Sequence, residues 1–141
     1  MSTDTNHRSV TVERTSSGRF TISNERDGQI TIGTGGDADF TPTELLLAAI
    51  AGCTAIDVDI FTTRRSEPER FEVVAEADKI RDGNGNRLTN VDVTFDLAFP
   101  DGEGGDAARD LLPDAVQRSH DRLCTVGRSV ELGTPIGTKI R

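Results

Sequence analysis

The chain is poor in the residues that several common functions require. Its 141 residues contain two histidines, His7 and His120, and two cysteines, Cys53 and Cys124. Neither cysteine belongs to a Cys-x-x-Cys pair, so the sequence predicts no metal site and no bound cofactor. Positive charge is also scarce. Sixteen Lys and Arg stand against 24 Asp and Glu, a net charge of −8, which predicts neither nucleic acid nor an anionic membrane as partner, because both need a basic face. The Gly-rich stretch "GTGGDADF" at 33–40 is not followed by Gly-Lys-Ser/Thr. It therefore reads as a flexible connection and not as a phosphate cradle. Residues 1–20 lack a cationic start followed by an apolar run, and the longest apolar stretch, Leu45 to Cys53, is too short to span a bilayer. A cytoplasmic location is the resulting expectation. In a reducing compartment two cysteines are expected to be free, catalytic or redox-sensing, not a structural disulfide.

No internal repeat, low-complexity tract or linker interrupts the chain. Its length fits one domain over 1–141, with 1–8 as a flexible N-terminus. Hydrophobic residues make up 34%, low for a compact monomer. Either a dimer completes the core, or surface loops dilute the composition.

Period-two alternation opens the chain. "SVTVE", "RFTIS" and "QITIG" alternate through Val10 and Val12, Phe20 and Ile22, and Ile30 and Ile32, with turns at 16–18 and 25–28. That pattern predicts an antiparallel meander. Thr41-Pro42-Thr43-Glu44 is a capping box with proline at the first helical position, so a helix is expected from there to about Arg65. Its first half is apolar nearly all round and should be buried. Two long strands follow, "RFEVVAEADKI" and "NVDVTFDLAF", joined by the hairpin signal Asp82-Gly-Asn-Gly85. A second helix is expected over Asp106 to Leu123, with Pro113 kinking or splitting it. "VELGTPIGTKI" reads as loop and final edge strand. The order β-β-β-α-β-β-α-β predicts an α+β protein with helices on antiparallel sheet.

The thiols then stand out. Leu45, Ala49, Cys53, Ile56 and Ile60 form one apolar helical stripe, which directs Cys53 toward the core. Gly52 beside it weakens the helix by roughly 1 kcal/mol relative to alanine, which suggests close approach of another backbone or a substrate. Cys53 reads either as a small buried hydrophobe or as a reactive group. Asp57, one turn on, disfavours its thiolate, and the thiolate is the nucleophile. Cys124 has His120 one turn before it and Arg128 four residues after it. If helix persists, Arg128 favours the Cys124 thiolate; otherwise His120 and Arg128 are solvated surface groups.

"TPTELLLAAIAGCTAIDV" followed much later by "DRLCTVGRSVEL", with this strand and helix order, resembles the OsmC/Ohr family over about Val10 to Ile140. The resemblance implies an intertwined homodimer in which sheets from both chains wrap two central cysteine-bearing helices. It also implies a thiol-dependent peroxidase acting on organic hydroperoxides or hydrogen peroxide, with Cys53 as peroxidatic and Cys124 as resolving thiol. A small dithiol or lipoyl-bearing protein would be the reductant. The sequence departs from well-studied peroxidase members at two points. Thr43 stands where they carry Glu, with Glu44 one residue later, and neither Arg19 nor Arg26 lies in the motif of their thiolate-stabilising Arg. This marks a divergent branch, in which Glu44, Asp57 and Arg128 are the candidate supporting groups. The alternatives are a small-ligand-binding dimer without catalysis and a stress-associated dimer with inert cysteines.

Overall fold

The computed structural model describes residues 6–141; most of the expected flexible N-terminus, residues 1–5, lies outside the described residues. The chain forms two compact units, residues 1–46 and 47–141.

The first unit is the expected meander. β1 (Val10–Ser16), β2 (Arg19–Asn24) and β3 (Gln29–Ile32) pair antiparallel in sequence order. Gly18 turns β1 into β2 at φ 71, a conformation glycine adopts without steric cost. The next turn is built on Asn24, whose Oδ1 accepts from the amides of Arg26 and Gly28 at 2.9 Å each. The Gly-rich stretch proves to be more than a flexible connection. Arg19 pairs with Asp37 and, at 2.6 Å, with Asp39, while Ile32 bridges Phe40. One guanidinium thus gathers two loop carboxylates, and this gives the loop a definite course.

Helix α1 (Pro42–Thr63) starts on the capping box. The Thr41 amide donates to Glu44 Oε1 at 2.9 Å, and the Glu44 amide donates to Thr41 Oγ1 at 3.2 Å. With 22 residues, α1 is long and apolar enough to cross a membrane by length and composition, which corrects the expectation drawn from Leu45 to Cys53.

In the second unit, β4 (Arg70–Asp82) and β5 (Gly85–Ala98) form a long antiparallel hairpin. Gly85 at φ 97 and a bond from the Asn84 amide to Asp82 Oδ1 make its turn. The inward face, Phe71, Val73 and Ala75 with Val93, Phe95 and Leu97, follows the predicted alternation.

Helix α2 (Glu103–Arg118) begins three residues before Asp106, inside the stretch expected to be loop. Gly104 and Gly105 permit this. A Cβ on Gly104 would lie 2.7 Å from the Arg65 carbonyl oxygen, and one on Gly105 would lie 1.7 Å from that of Pro100. Pro113 does not split the helix. Buried Ala108 and Ala115 anchor it on both sides, and the proline itself is exposed, so the one lost donor leaves the remaining ladder intact. The break comes later, as a π-turn at Ser119–Leu123 closed by Cys124 N donating to Ser119 O at 2.9 Å. The extra residue moves Leu123 out to the surface. Ser119 and Cys124, five apart, take the buried places instead.

A short helix α3 (Thr125–Glu131) replaces the start of the expected edge strand. Gly133 at φ 64 ends it, and the tail makes no strand pairing among the described residues. Ile136 and Ile140 have no sheet edge in this chain on which to lie and are exposed.

The buried face of α1 differs from the predicted one. Ile50, Thr54, Val58 and Thr62 face inward. Ile56 and Ile60, from the predicted core stripe, are 63% and 48% exposed, and Cys53 lies between the two faces. Nothing lies within 4 Å of a Cβ placed on Gly52.

Candidate functional site

Two inward hydroxyls organise the second unit. Thr54 Oγ1 and Ser119 Oγ are 2.7 Å apart, and Ser119 Oγ donates to Asp57 Oδ2 at 2.8 Å. A carboxylate only accepts, and Ser119 has one proton. Ser119 therefore donates to Asp57 and accepts from Thr54. This chain of bonds ties α1 to the π-turn through a fully buried serine. Both hydroxyls interrupt apolar stripes, Thr54 between Ile50 and Val58 and Ser119 one turn after Ala115. A polar residue in a buried stripe needs a partner, and that was the available signal for a link that sequence reasoning missed.

The π-turn delivers Cys124 to the start of α3 with φ −72 and ψ 99. Its Sγ accepts from the Gly127 amide at 3.2 Å and lies within hydrogen-bonding contact of the Cys53 side chain. Gly127 leaves room for this, since a Cβ there would sit 3.3 Å from the sulfur. Two cysteines far apart in sequence thus meet where α1 passes the π-turn. Burial pushes the Cys124 thiol up. The Gly127 amide opposes that push, while Cys53 and the Asp57 carboxylate reinforce it. The outcome is a thiol that keeps its proton.

Asp57 is thus placed near the thiols, as the helical spacing suggested, with its charge acting on Cys124. Arg128 does not reach the Cys124 thiol as expected. Cys124 is extended and not helical, so the two residues no longer share a helix face. The Arg128 guanidinium bonds to the His120 carbonyl at 3.2 Å and to Glu131 at 3.4 Å. His120 spans the gap between the π-turn and α3, with Nδ1 2.9 Å from Asp121 and Nε2 3.0 Å from Glu131. The Asp121 bond, then the Glu131 charge, raises its pKa. Glu44 is committed to the α1 cap, and the Thr41 hydrogen bonds lower its pKa.

A cavity of about 460 Å³ opens beside these groups. Ile50 and Thr54 of α1, the Val91–Val93 and Phe95 segment of β5, Val116 of α2, and Gly127 and Val130 of α3 form most of its wall. Cys124, Gln117, His120 and Glu131 contribute the polar part. Among the described residues no group of His, Cys, Asp and Glu could hold a metal ion.

The OsmC-like protein family profile matches residues 34–139. An uncharacterised protein of Mycobacterium tuberculosis (strain H37Rv) is 29% identical over 130 residues, which is 92% of this chain and 93% of that protein. An OsmC-like protein of unknown function from Vibrio cholerae superposes with a TM-score of 0.71 at 17% identity, covering 89% of this chain and 94% of that one. The organic hydroperoxide resistance protein OhrB of Bacillus subtilis superposes with a TM-score of 0.55 at 16% identity, covering 87% and 90%. These likenesses are to the fold, and the profile match spans both cysteines and the elements that carry them. The chain belongs to the OsmC-like protein family.

Proposed function

We propose that this protein is a thiol-dependent peroxidase that reduces organic hydroperoxides or hydrogen peroxide through Cys53 and Cys124. The observation that carries the reading is the contact between the two cysteine side chains across α1 and the start of α3. The Cys53 thiolate attacks a peroxide oxygen, the O–O bond breaks, and the alcohol or water departs. Cys53 is left as a sulfenic acid. The Cys124 sulfur then displaces the sulfenic hydroxyl, which leaves as water with the proton that Cys124 had kept, and a Cys53–Cys124 disulfide forms. A small dithiol or lipoyl-bearing protein returns both thiols. A protonated Cys124 suits a resolving thiol, because it does not compete for peroxide. The hydroperoxide resistance named for the Bacillus subtilis protein agrees with this reading.

The acting form is a homodimer in the cytoplasm. Exposed Ile56 and Ile60 and the open space over Gly52 supply the apolar helix face that a second copy would cover. Sedimentation velocity should show a dimer, and Ile56→Glu should shift it toward monomer.

Peroxide consumption, driven by dihydrolipoamide or dithiothreitol, tests the activity. Wild type is expected to consume cumene hydroperoxide or hydrogen peroxide and Cys53→Ser to be inactive. Equal inactivity of both on every peroxide removes the enzyme reading. The cavity favours a second reading, a small-ligand-binding dimer without catalysis, for which apolar ligands would raise the melting temperature of Cys124→Ser as they do of wild type.

A further inference from the structure

The cavity reaches one sulfur of the pair. Cys124 is part of its wall and Cys53 is not. Val93, Phe95, Val116 and Val130 make the opposing sides apolar. The charged residues of the wall are Asp92, Glu131 and His120. His120 is held between Asp121 and Glu131, and Arg128, the cation paired with Glu131, does not line the cavity. No lysine or arginine lines it.

The geometry points to this cavity as the binding site for the reducing thiol, an uncharged thiol on a slender apolar arm that attacks the Cys124 sulfur of the Cys53–Cys124 disulfide. The assignment rests on the peroxidase reading above. In the step, the incoming thiolate forms a bond to Cys124 Sγ, the Cys124–Cys53 bond breaks, and Cys53 leaves as the thiolate that begins the next cycle. A second thiol of the reductant then attacks the first, releases Cys124 as thiol with a proton from solvent, and leaves the reductant as a disulfide. Two electrons pass from the dithiol to the protein. Two features favour this direction. A volume of about 460 Å³ falls in the range of small-molecule sites. Burial and the Asp57 charge make Cys124 hold its proton, and a thiol of high pKa is the poorer leaving group, so Cys53 is the sulfur expelled. The carboxylates of Asp92 and Glu131, unopposed by any cation in the wall, disfavour an anionic thiol.

The test uses full-length protein whose disulfide is formed with diamide, so it does not depend on peroxidase activity. The oxidised protein is mixed with 2-mercaptoethanol or with 3-mercaptopropionate and quenched with iodoacetamide, and the mixed disulfide is located by mass spectrometry. Each rate is divided by that thiol's rate on glutathione disulfide, which removes intrinsic differences in nucleophilicity. The adduct is expected on Cys124 with a free, alkylated Cys53. The neutral thiol should be favoured by roughly fivefold or more, the scale of one close charge repulsion in a partly wet site. Asp92→Asn with Glu131→Gln should abolish that preference, and Val116→Phe should slow both thiols while the melting temperature shows the fold intact. An adduct on Cys53, or equal corrected rates for the two thiols, overturns the assignment. Reduction through Cys124 in a protein that consumes no peroxide would sink the peroxidase reading and leave this site standing.

Discussion

The two helical segments that carry the cysteines are built in opposite ways. α1 starts on a reciprocal side-chain cap and runs unbroken for 22 residues past Cys53. The segment that carries Cys124 starts at Gly102 with no side-chain cap, is held by two glycines pressed against carbonyl oxygens, widens into a π-turn, and restarts after Cys124. A thiol in mid-helix, like Cys53, sits where every backbone amide is already used. A thiol at a break, like Cys124, finds a spare amide, here that of Gly127. The difference teaches that a regular helix presents Cys53, while an irregular one tunes and encloses its partner.

The comparison breaks hardest at Gly105. Gly105→Ala would drive a Cβ into the Pro100 carbonyl and should destabilise by an amount at or above the top of the about 1–3 kcal/mol range for overpacking, read from the urea midpoint. A midpoint unchanged from wild type would show that the start of α2 is loose. Ser119→Ala should come next, at roughly 1–3 kcal/mol, because it strands Thr54 and Asp57. It should also change the reactivity of Cys124 toward a thiol reagent, since the π-turn loses its tie to α1. Thr41→Ala removes the α1 cap and should cost about 1 kcal/mol with thiol reactivity unchanged. That contrast in the second readout separates the two segments.

The smallest effect is expected from pH. Asp121 and Glu131 raise His120 above its ordinary value of 6.5. Protonated His120 therefore ties the π-turn to α3 most fully below that value, and the tie is lost as pH rises through the higher folded-state value. The melting temperature of wild type minus that of His120→Gln should be largest near the acid end of a pH 5–9 series and should shrink toward the alkaline end. A constant difference would show that His120 does not hold α3.

Much of the fold could be read from residue patterns. The meander, the hairpin and the α1 start rest on local rules: alternation, turn residues, and a Thr and a Glu three apart. The thiols and Asp57 could also be picked out from spacing and resemblance. Their mutual contact could not, nor could the bonds joining Thr54, Ser119 and Asp57, because these link residues that only the folded chain makes neighbours. The expected role of Arg128 failed for a related reason. It assumed a continuous helix, and one extra residue in the turn at Ser119–Leu123 rotated everything after it. The stripe through Cys53, Ile56 and Ile60 was correctly seen as apolar, but a single chain leaves much of it exposed.

By itself the sequence determined the elements whose cause is local, and it singled out a thiol on an apolar helix as the point of interest. The tertiary structure decided the rest. It brought Cys124 to Cys53, set Asp57 to act on Cys124, gave Arg128 to Glu131, and opened the cavity on one sulfur of the two. Local rules depend on neighbours a few residues apart. A thiol's partner, charge surroundings and access depend on which distant segments share its space, and here one π-turn and two glycines control that.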